Sequence, residues 1–138
     1  MERCTITMKV DTKKINPGNV TACIKFEDSF GGEQSGSPED FTSKISIGDE
    51  ICWEAEAKDG QTGDTVTIDK ITYEAHTNIL GQTELHGDAC GKVTGNALHG
   101  QAGDEQEYGV YFTVTSGSQP PVQFYVDPKL KIRNTHSS

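Results

Sequence analysis

Apolar and polar residues alternate with period two along much of this chain, a pattern typical of β-strands with one buried face. The clearest example lies in 103–132, where residues 108–114 and 122–132 both alternate around a Gly/Ser/Pro-rich break. This pattern predicts a β-hairpin. Because the segment is also the most aromatic in the chain, we expect it to form the central pair of a β-sandwich.

Further strands are predicted where the same alternation recurs, at 3–11, 20–27, 41–47, 51–57 and 65–74. The apolar parity switches between Ile68 and Ile71, which predicts a β-bulge there. The Gly- and Asp-rich stretch 58–64 predicts a hairpin loop. Pro128 cannot donate to a strand ladder, so we expect Leu130 and Ile132 to form a short edge strand after it.

The segment 75–107 differs from the rest because its apolar residues are sparse and its glycines are frequent. It predicts a long, partly ordered loop with short strands near 79–80 and 92–94. Loops of this length usually serve a function, so this one is a candidate functional surface. The polar tail 134–138 is expected to be disordered, which leaves 1–133 as one domain.

Together these patterns predict an all-β fold: a single-domain, immunoglobulin-like antiparallel β-sandwich of seven to nine strands with one long Gly-rich loop. Trp53 is predicted to fill the space between the sheets, with Phe41 and Tyr108 at the ends of the core. The remaining residues predicted to point inward are Cys4, Ile6, Met8, Val10, Val20, Ala22, Ile24, Phe26, Ile45, Ile47, Ile51, Val66, Ile68, Tyr73, Val110, Phe112, Val114, Val122, Phe124 and Val126.

The length of 138 residues fits one domain, and the formal charge of −9 disfavours nucleic acid as a partner. No basic cluster or long apolar run predicts membrane attachment. Residues 1–10 lack the continuous apolar region of a signal peptide, so a cytoplasmic location is expected. Secretion stays open if a signal was trimmed.

The four cysteines, Cys4, Cys23, Cys52 and Cys90, form no CxxC pair, which disfavours a zinc site. Strand parity points Cys4 inward and Cys23 and Cys52 outward. A Cys4–Cys23 disulfide is therefore disfavoured, whereas a Cys23–Cys52 bridge is conceivable. Without a signal peptide, four free thiols are expected. No cofactor is predicted, apart from a possible calcium ion.

No catalytic motif is present, so the chain is predicted not to be an enzyme. Acidic loop residues could supply the oxygens that calcium needs, and exposed tyrosines could stack on a sugar. The candidate ligand-binding residues on this hypothesis are Asp59, Asp64, Asp88, Asp104, Tyr111 and Tyr125.

The C-terminal sequence from Gly103-Asp104-Glu105 through 108–114 to 124–132 resembles the ending of small uncharacterised bacterial β-sandwich proteins. More distantly, it resembles the inclusion-body proteins of the AidA/PixA type, which also finish on a strand with an Asp-Pro step. The resemblance covers about a fifth of the chain. It implies a compact, non-catalytic all-β protein of bacterial origin, and it transfers no site residues.

Two functions from different classes remain. The first is a non-enzymatic binding or structural protein that works through a protein partner or self-association, using the long loop and exposed strand edges. The alternative is a calcium- or carbohydrate-binding module. A small hydrolase built on the acidic loops is a third, weaker possibility.

Overall fold

Two β-sheets pack face to face in the computed structural model, which describes residues 2–32, 34, 36–58, 63–117 and 119–133. The predicted all-β sandwich is confirmed, although ten strands are described and not the seven to nine expected. The described strands, in chain order, are β1 (Arg3–Val10), β2 (Ile24–Asp28), β3 (Thr42–Ile45), β4 (Glu50–Ala57), β5 (Asp64–His76), β6 (Glu84–His86), β7 (Val93–Asn96), β8 (Glu105–Ser116), β9 (Val122–Val126) and β10 (Lys129–Ile132).

Sheet A has the strand order β2-β1-β4-β7, and sheet B has the order β3-β10-β8-β5-β6. Strand β9 also pairs with β8 in sheet B. The long strand β8 therefore has β5 along one side, and β10 and then β9 along the other. Two pairings, β1 with β4 and β3 with β10, are parallel, so the sheets are mixed and not purely antiparallel as expected.

The core lies between the sheets and is built largely by the predicted alternation. Trp53 is 1% exposed, and its indole Nε1 donates to the hydroxyl of Tyr108 at 3.0 Å. Phe41 and Tyr108 are also buried. The buried hydrophobic core residues absent from the predicted inward set, apart from the two cysteines treated below, are Ile71, Ile79, Leu80, Val93, Ala97, Leu130 and Ile132.

The hairpin predicted within 103–132 is present, with Phe112 opposite Phe124 in the register of β8 and β9. Its place in the sheet differs from the prediction, because β9 has no strand on its other side among the described residues. The predicted bulge is also confirmed, since the register of β5 and β8 shifts between Ile68 and Lys70.

Four inward predictions are wrong or only partly met at strand ends. Val20 and Ala22 lie in a 3-10 helix (Val20–Cys23), because the β1–β2 ladder ends at the pair Val10 and Ile24. Ile47 is 47% exposed, since β3 stops before the turn at Gly48. Val122 is 45% exposed at the start of β9.

Tyr73 is half-buried near a second register shift in β5. The predicted hairpin over 58–64 is wrong, because the flanking strands β4 and β5 belong to different sheets. Residues 59–62 themselves lie outside the described residues. The prediction that Leu130 and Ile132 form an edge strand is also wrong, because β10 lies between β8 and β3.

The segment 75–107 is more structured than a loop. It includes β6 and β7, and its Ile79 and Leu80 are buried in a turn instead of a strand. The short strand predicted at 92–94 corresponds to β7. The predicted tail 134–138 lies outside the described residues. No helix among the described residues is long and apolar enough to span a membrane.

Candidate self-association surface

One side of β9 has no neighbouring strand among the described residues. Among the described strands, β9 has backbone hydrogen bonds only to β8, although the Gln123 side chain donates to the Asp69 carboxylate of β5 at 3.0 Å. N–H and C=O groups alternate in direction along a strand, so about half of those in β9 point away from β8 without a backbone partner. Such an edge can pair with a strand of another chain.

The residues of β9, Val-Gln-Phe-Tyr-Val, include no charge although the chain carries a formal charge of −9. Val122 is 45% exposed and Tyr125 is 37% exposed, while Phe124 and Val126 are buried in the core. High β-propensity, low charge and exposure together favour strand pairing. Pro121 before the strand and Pro128 after it limit the pairing edge to this segment.

In sheet A, the edge strand β2 already has a hydrogen-bonding partner beyond its last neighbour. Strand β2 is capped by Gln34, whose backbone N–H donates to the carbonyl of Phe26 at 3.2 Å. The Gln34 side chain accepts from the Phe26 N–H at 2.9 Å and donates to the Ile24 carbonyl at 3.2 Å. No described residue does the same for β9, so the edges of β2 and β9 differ in this respect.

Tyr111 and Tyr125 lie next to each other on the outer face of sheet B, as opposite residues of β8 and β9. Their ring centroids are 4.8 Å apart at an interplanar angle of 57°. The Lys70 Nζ lies 4.9 Å from the centroid of Tyr111. Burial and the nearby Glu74 carboxylate raise the pKa of Tyr125, so its hydroxyl stays neutral at physiological pH.

The three predicted aspartates that the structure describes, Asp64, Asp88 and Asp104, are not gathered into one site. The Asp64 side chain, 1% exposed, accepts from the hydroxyls of Thr12 (2.6 Å) and Ser116 (3.1 Å) and contacts Lys13 Nζ at 3.1 Å. These hydrogen bonds, above all that from Thr12, lower the pKa of Asp64. Asp64 therefore ties together the ends of strands from both sheets.

Asp88 and Asp104 each close a turn of their own. Asp88 accepts from the N–H groups of Cys90 (2.8 Å) and Lys92 (3.1 Å), which lower its pKa. Asp104 accepts from the Gln101 N–H at 2.8 Å. Asp59 lies outside the described residues. Within the described ranges, no group of three or more His, Cys, Asp or Glu side chains has a metal-binding arrangement.

The four cysteines are unbridged, and only Cys90 is exposed. Burial raises the pKa of the Cys4 thiol to about 12, so this thiol is unreactive at neutral pH. Cys52 belongs to β4, where it lies between Thr5 and Thr94 in sheet A, yet it is buried. Cys23 was predicted to point outward and is buried where the 3-10 helix meets β2.

The sequence predicted Tyr111 and Tyr125 as candidate site residues through their outward parity, and the structure brings these two together. The sequence did not indicate that β9 has a free side, nor that Gln34 caps β2. Strand neighbours in a sheet depend on topology, and the local alternation of residues is the same for edge and internal strands.

The fold is similar to that of a solved inclusion body protein, PixA, from Burkholderia cenocepacia J2315. The TM-score is 0.68 at 12% sequence identity, over 95% of this chain and 94% of that chain. At this identity the likeness concerns the fold alone, and it confirms the fold-level part of the expected resemblance. No protein-family model and no curated protein matches the sequence.

Proposed function

We propose that this chain is a non-enzymatic structural protein that self-associates through the free edge of β9. The observation that carries the proposal is an exposed, uncharged strand edge on an otherwise acidic molecule. Like charges oppose contact between two copies over most of the surface, whereas β9 offers backbone hydrogen bonds and apolar side chains without that repulsion.

The solved neighbour supports the proposal, because it is described as an inclusion body protein. A chain of the same fold with an open strand edge is suited to the same kind of role. Natural β-proteins usually block such edges with charge, proline or a covering segment, as this chain does at β2. Leaving β9 open therefore favours a use for that edge.

The test places charge on the edge. Two lysines in β9, at Gln123 and Tyr125, would need to be desolvated or opposed to each other in any β9 pairing. We expect the double variant Gln123→Lys/Tyr125→Lys to weaken self-association at least about tenfold, the factor that a loss of roughly 1.4 kcal/mol produces. Sedimentation velocity over a range of concentrations measures this directly.

The matched control is Gln82→Lys/Gln101→Lys, which adds the same charge at two exposed turn residues. It should associate like the unaltered protein. If both variants associate equally well, or if the unaltered protein is monomeric at every concentration, β9 is not a self-association edge. Trp53 fluorescence checks that each variant is folded, because the indole is buried in the core.

A further inference from the structure

The two ends of β9 lie in regions of opposite charge. Val122 pairs with Val114, which pairs with Val66 near the start of β5. That end of the sandwich also holds the 3-10 helix Val20–Cys23, which lies beside β9. Lys9, Lys25 and Lys58 line an open pocket of about 310 Å³ there, together with Asp11 and Cys23. Lys9 is paired with the Glu27 carboxylate at 2.8 Å, so the charges considered at this end are those of Lys25 and Lys58.

The other end of β9 is acidic. Asp127 follows the strand directly, and its carboxylate is faced by those of Glu39 and Glu107. Burial, followed by the Glu39 carboxylate, raises the pKa of Asp127. Lys129 lies opposite Glu107 in the register of β10 and β8. Glu39 and Asp127 are the acidic groups considered at this end.

We infer that two copies pair antiparallel along β9, around a two-fold axis that passes through Phe124. This inference rests on the proposed function. The register matches all five residues of the strand, with Val122 of one copy opposite Val126 of the second copy. Sheet B then continues across the axis, and the same outer face lies on the same side of both copies.

Charge favours this direction over the parallel one. The antiparallel arrangement brings the Lys25 and Lys58 region of each copy to the Glu39 and Asp127 region of the other. A parallel arrangement would bring lysines to lysines and carboxylates to carboxylates, which is unfavourable. Because the contact is the same on both copies, it closes on itself and gives a dimer.

Disulfide trapping tests the register. In the inferred pairing Gln123 lies opposite Tyr125 of the second copy, with Cα atoms about 4.5–5.5 Å apart, within the range for a disulfide. Two copies of residue 123 lie diagonally, at about 7–8 Å or more, outside that range. Gln123→Cys and Tyr125→Cys are made separately in a Cys90→Ser background, which removes the exposed thiol.

On mild oxidation, we expect a mixture of the two variants to form the 123–125 disulfide at least about tenfold faster than either variant alone forms a dimer. Faster 123–123 or 125–125 bridges would place identical residues closest together, which the inferred register forbids, and would overturn the inference. Sedimentation of the unaltered protein distinguishes a failure of the inferred register from a failure of the proposed function. Association without any of these bridges overturns the register alone, whereas a monomer overturns the proposed function as well.

Charge reversal gives a second, independent readout. Lys25→Glu and Glu39→Lys each place like charges across the inferred contact, so each should weaken association about three- to tenfold. A one-to-one mixture of the two variants should regain part of that loss. Lys92→Glu makes the same change beside β7, away from β9, and should have no effect on association. Equal effects of Lys25→Glu and Lys92→Glu would contradict the inferred direction.

Discussion

Buried polar side chains in this protein join segments that are far apart in the sequence. Asp49 is 2% exposed, and its carboxylate accepts from the N–H groups of Glu2 at 3.1 Å and Ser46 at 2.8 Å. Asp64 does the same for Thr12 and Ser116. A buried carboxylate is stable only with such partners, so these residues fix the ends of the strands.

Acidification should therefore weaken the fold through Asp64. Its pKa is lowered from the ordinary value of 3.8, so its stabilising effect is fully present above that pH and is lost as the pH falls through the folded-state pKa. We expect Asp64→Asn to lower the free energy of unfolding at pH 7, and the difference from the unaltered protein to shrink below pH 3.8. Urea unfolding at the two pH values measures both.

Asp104→Asn is the comparison for that experiment, because Asp104 accepts a single backbone hydrogen bond within its own turn. Its effect at pH 7 should be smaller. An Asp64→Asn variant that is as stable as the unaltered protein at pH 7 would show that the Thr12, Lys13 and Ser116 contacts do not hold the strand ends together.

At the residue scale, the sequence predicted which apolar side chains are buried, but it did not predict the hydrogen-bond partners of the polar ones. Parity placed Trp53 in the core, but nothing local indicated that Tyr108 would accept its N–H. From the sequence, Asp64 is a candidate calcium ligand, because a carboxylate in an acidic loop has the same local sequence whether it binds a metal or distant hydroxyls. Thr12 is 52 residues away along the chain.

Strand β6 lies so close to the bulge of β5 that position 87 has room only for glycine. Gly87 follows β6 and donates its N–H to the Asp69 carbonyl at 2.9 Å, at the bulge of β5. A Cβ atom there would lie 2.2 Å from the carbonyl oxygen of Ile68. Real atoms do not approach so closely, and a backbone carbonyl in a strand cannot turn aside as a side chain could.

We therefore expect Gly87→Ala to cost about 1–3 kcal/mol of stability by forcing β6 away from β5. The matched variant is Gly36→Ala, whose Cβ would meet only the Asp40 carboxylate, at 3.8 Å. This control should be neutral or slightly stabilising. Guanidinium unfolding compares the two, and equal midpoints would mean that β6 is free to shift.

The sequence predicted most strands and the bulge in β5, because burial on one face imposes a visible period. It did not predict which strands become neighbours. Residues 58–64 have the composition of a hairpin turn, yet the strands on either side of them, β4 and β5, belong to different sheets. For the same reason β10 was expected at an edge, although Leu130 is fully buried between β8 and β3.

The whole molecule depends on β10, which joins β3 to the rest of sheet B. Leu130 is 0% exposed within this strand. We expect Leu130→Ala to lower the free energy of unfolding by about 2–5 kcal/mol, the usual cost of a cavity left by a fully buried leucine. Leu98→Ala removes the same atoms from a residue that is 52% exposed, so it should change stability by less than about 0.5 kcal/mol.

Thermal or urea unfolding distinguishes these leucines, and similar losses at both would mean that β10 is not part of the stable core.

The charge of the whole molecule can be predicted from the sequence, but the distribution of that charge over the fold cannot. The formal charge of −9 is evident from composition, but its separation into a lysine-rich and a carboxylate-rich end beside β9 appears only once the strands are assembled.

The parallel pairing of β3 with β10 also affects how the protein is made. During translation β3 leaves the ribosome long before β10, so Ile45 and its neighbours have no sheet to join until most of the chain has been synthesised. Contacts so distant in sequence form slowly. The nascent chain therefore passes through a stage with an incomplete sheet B, in which β3 still lacks the strand it pairs with.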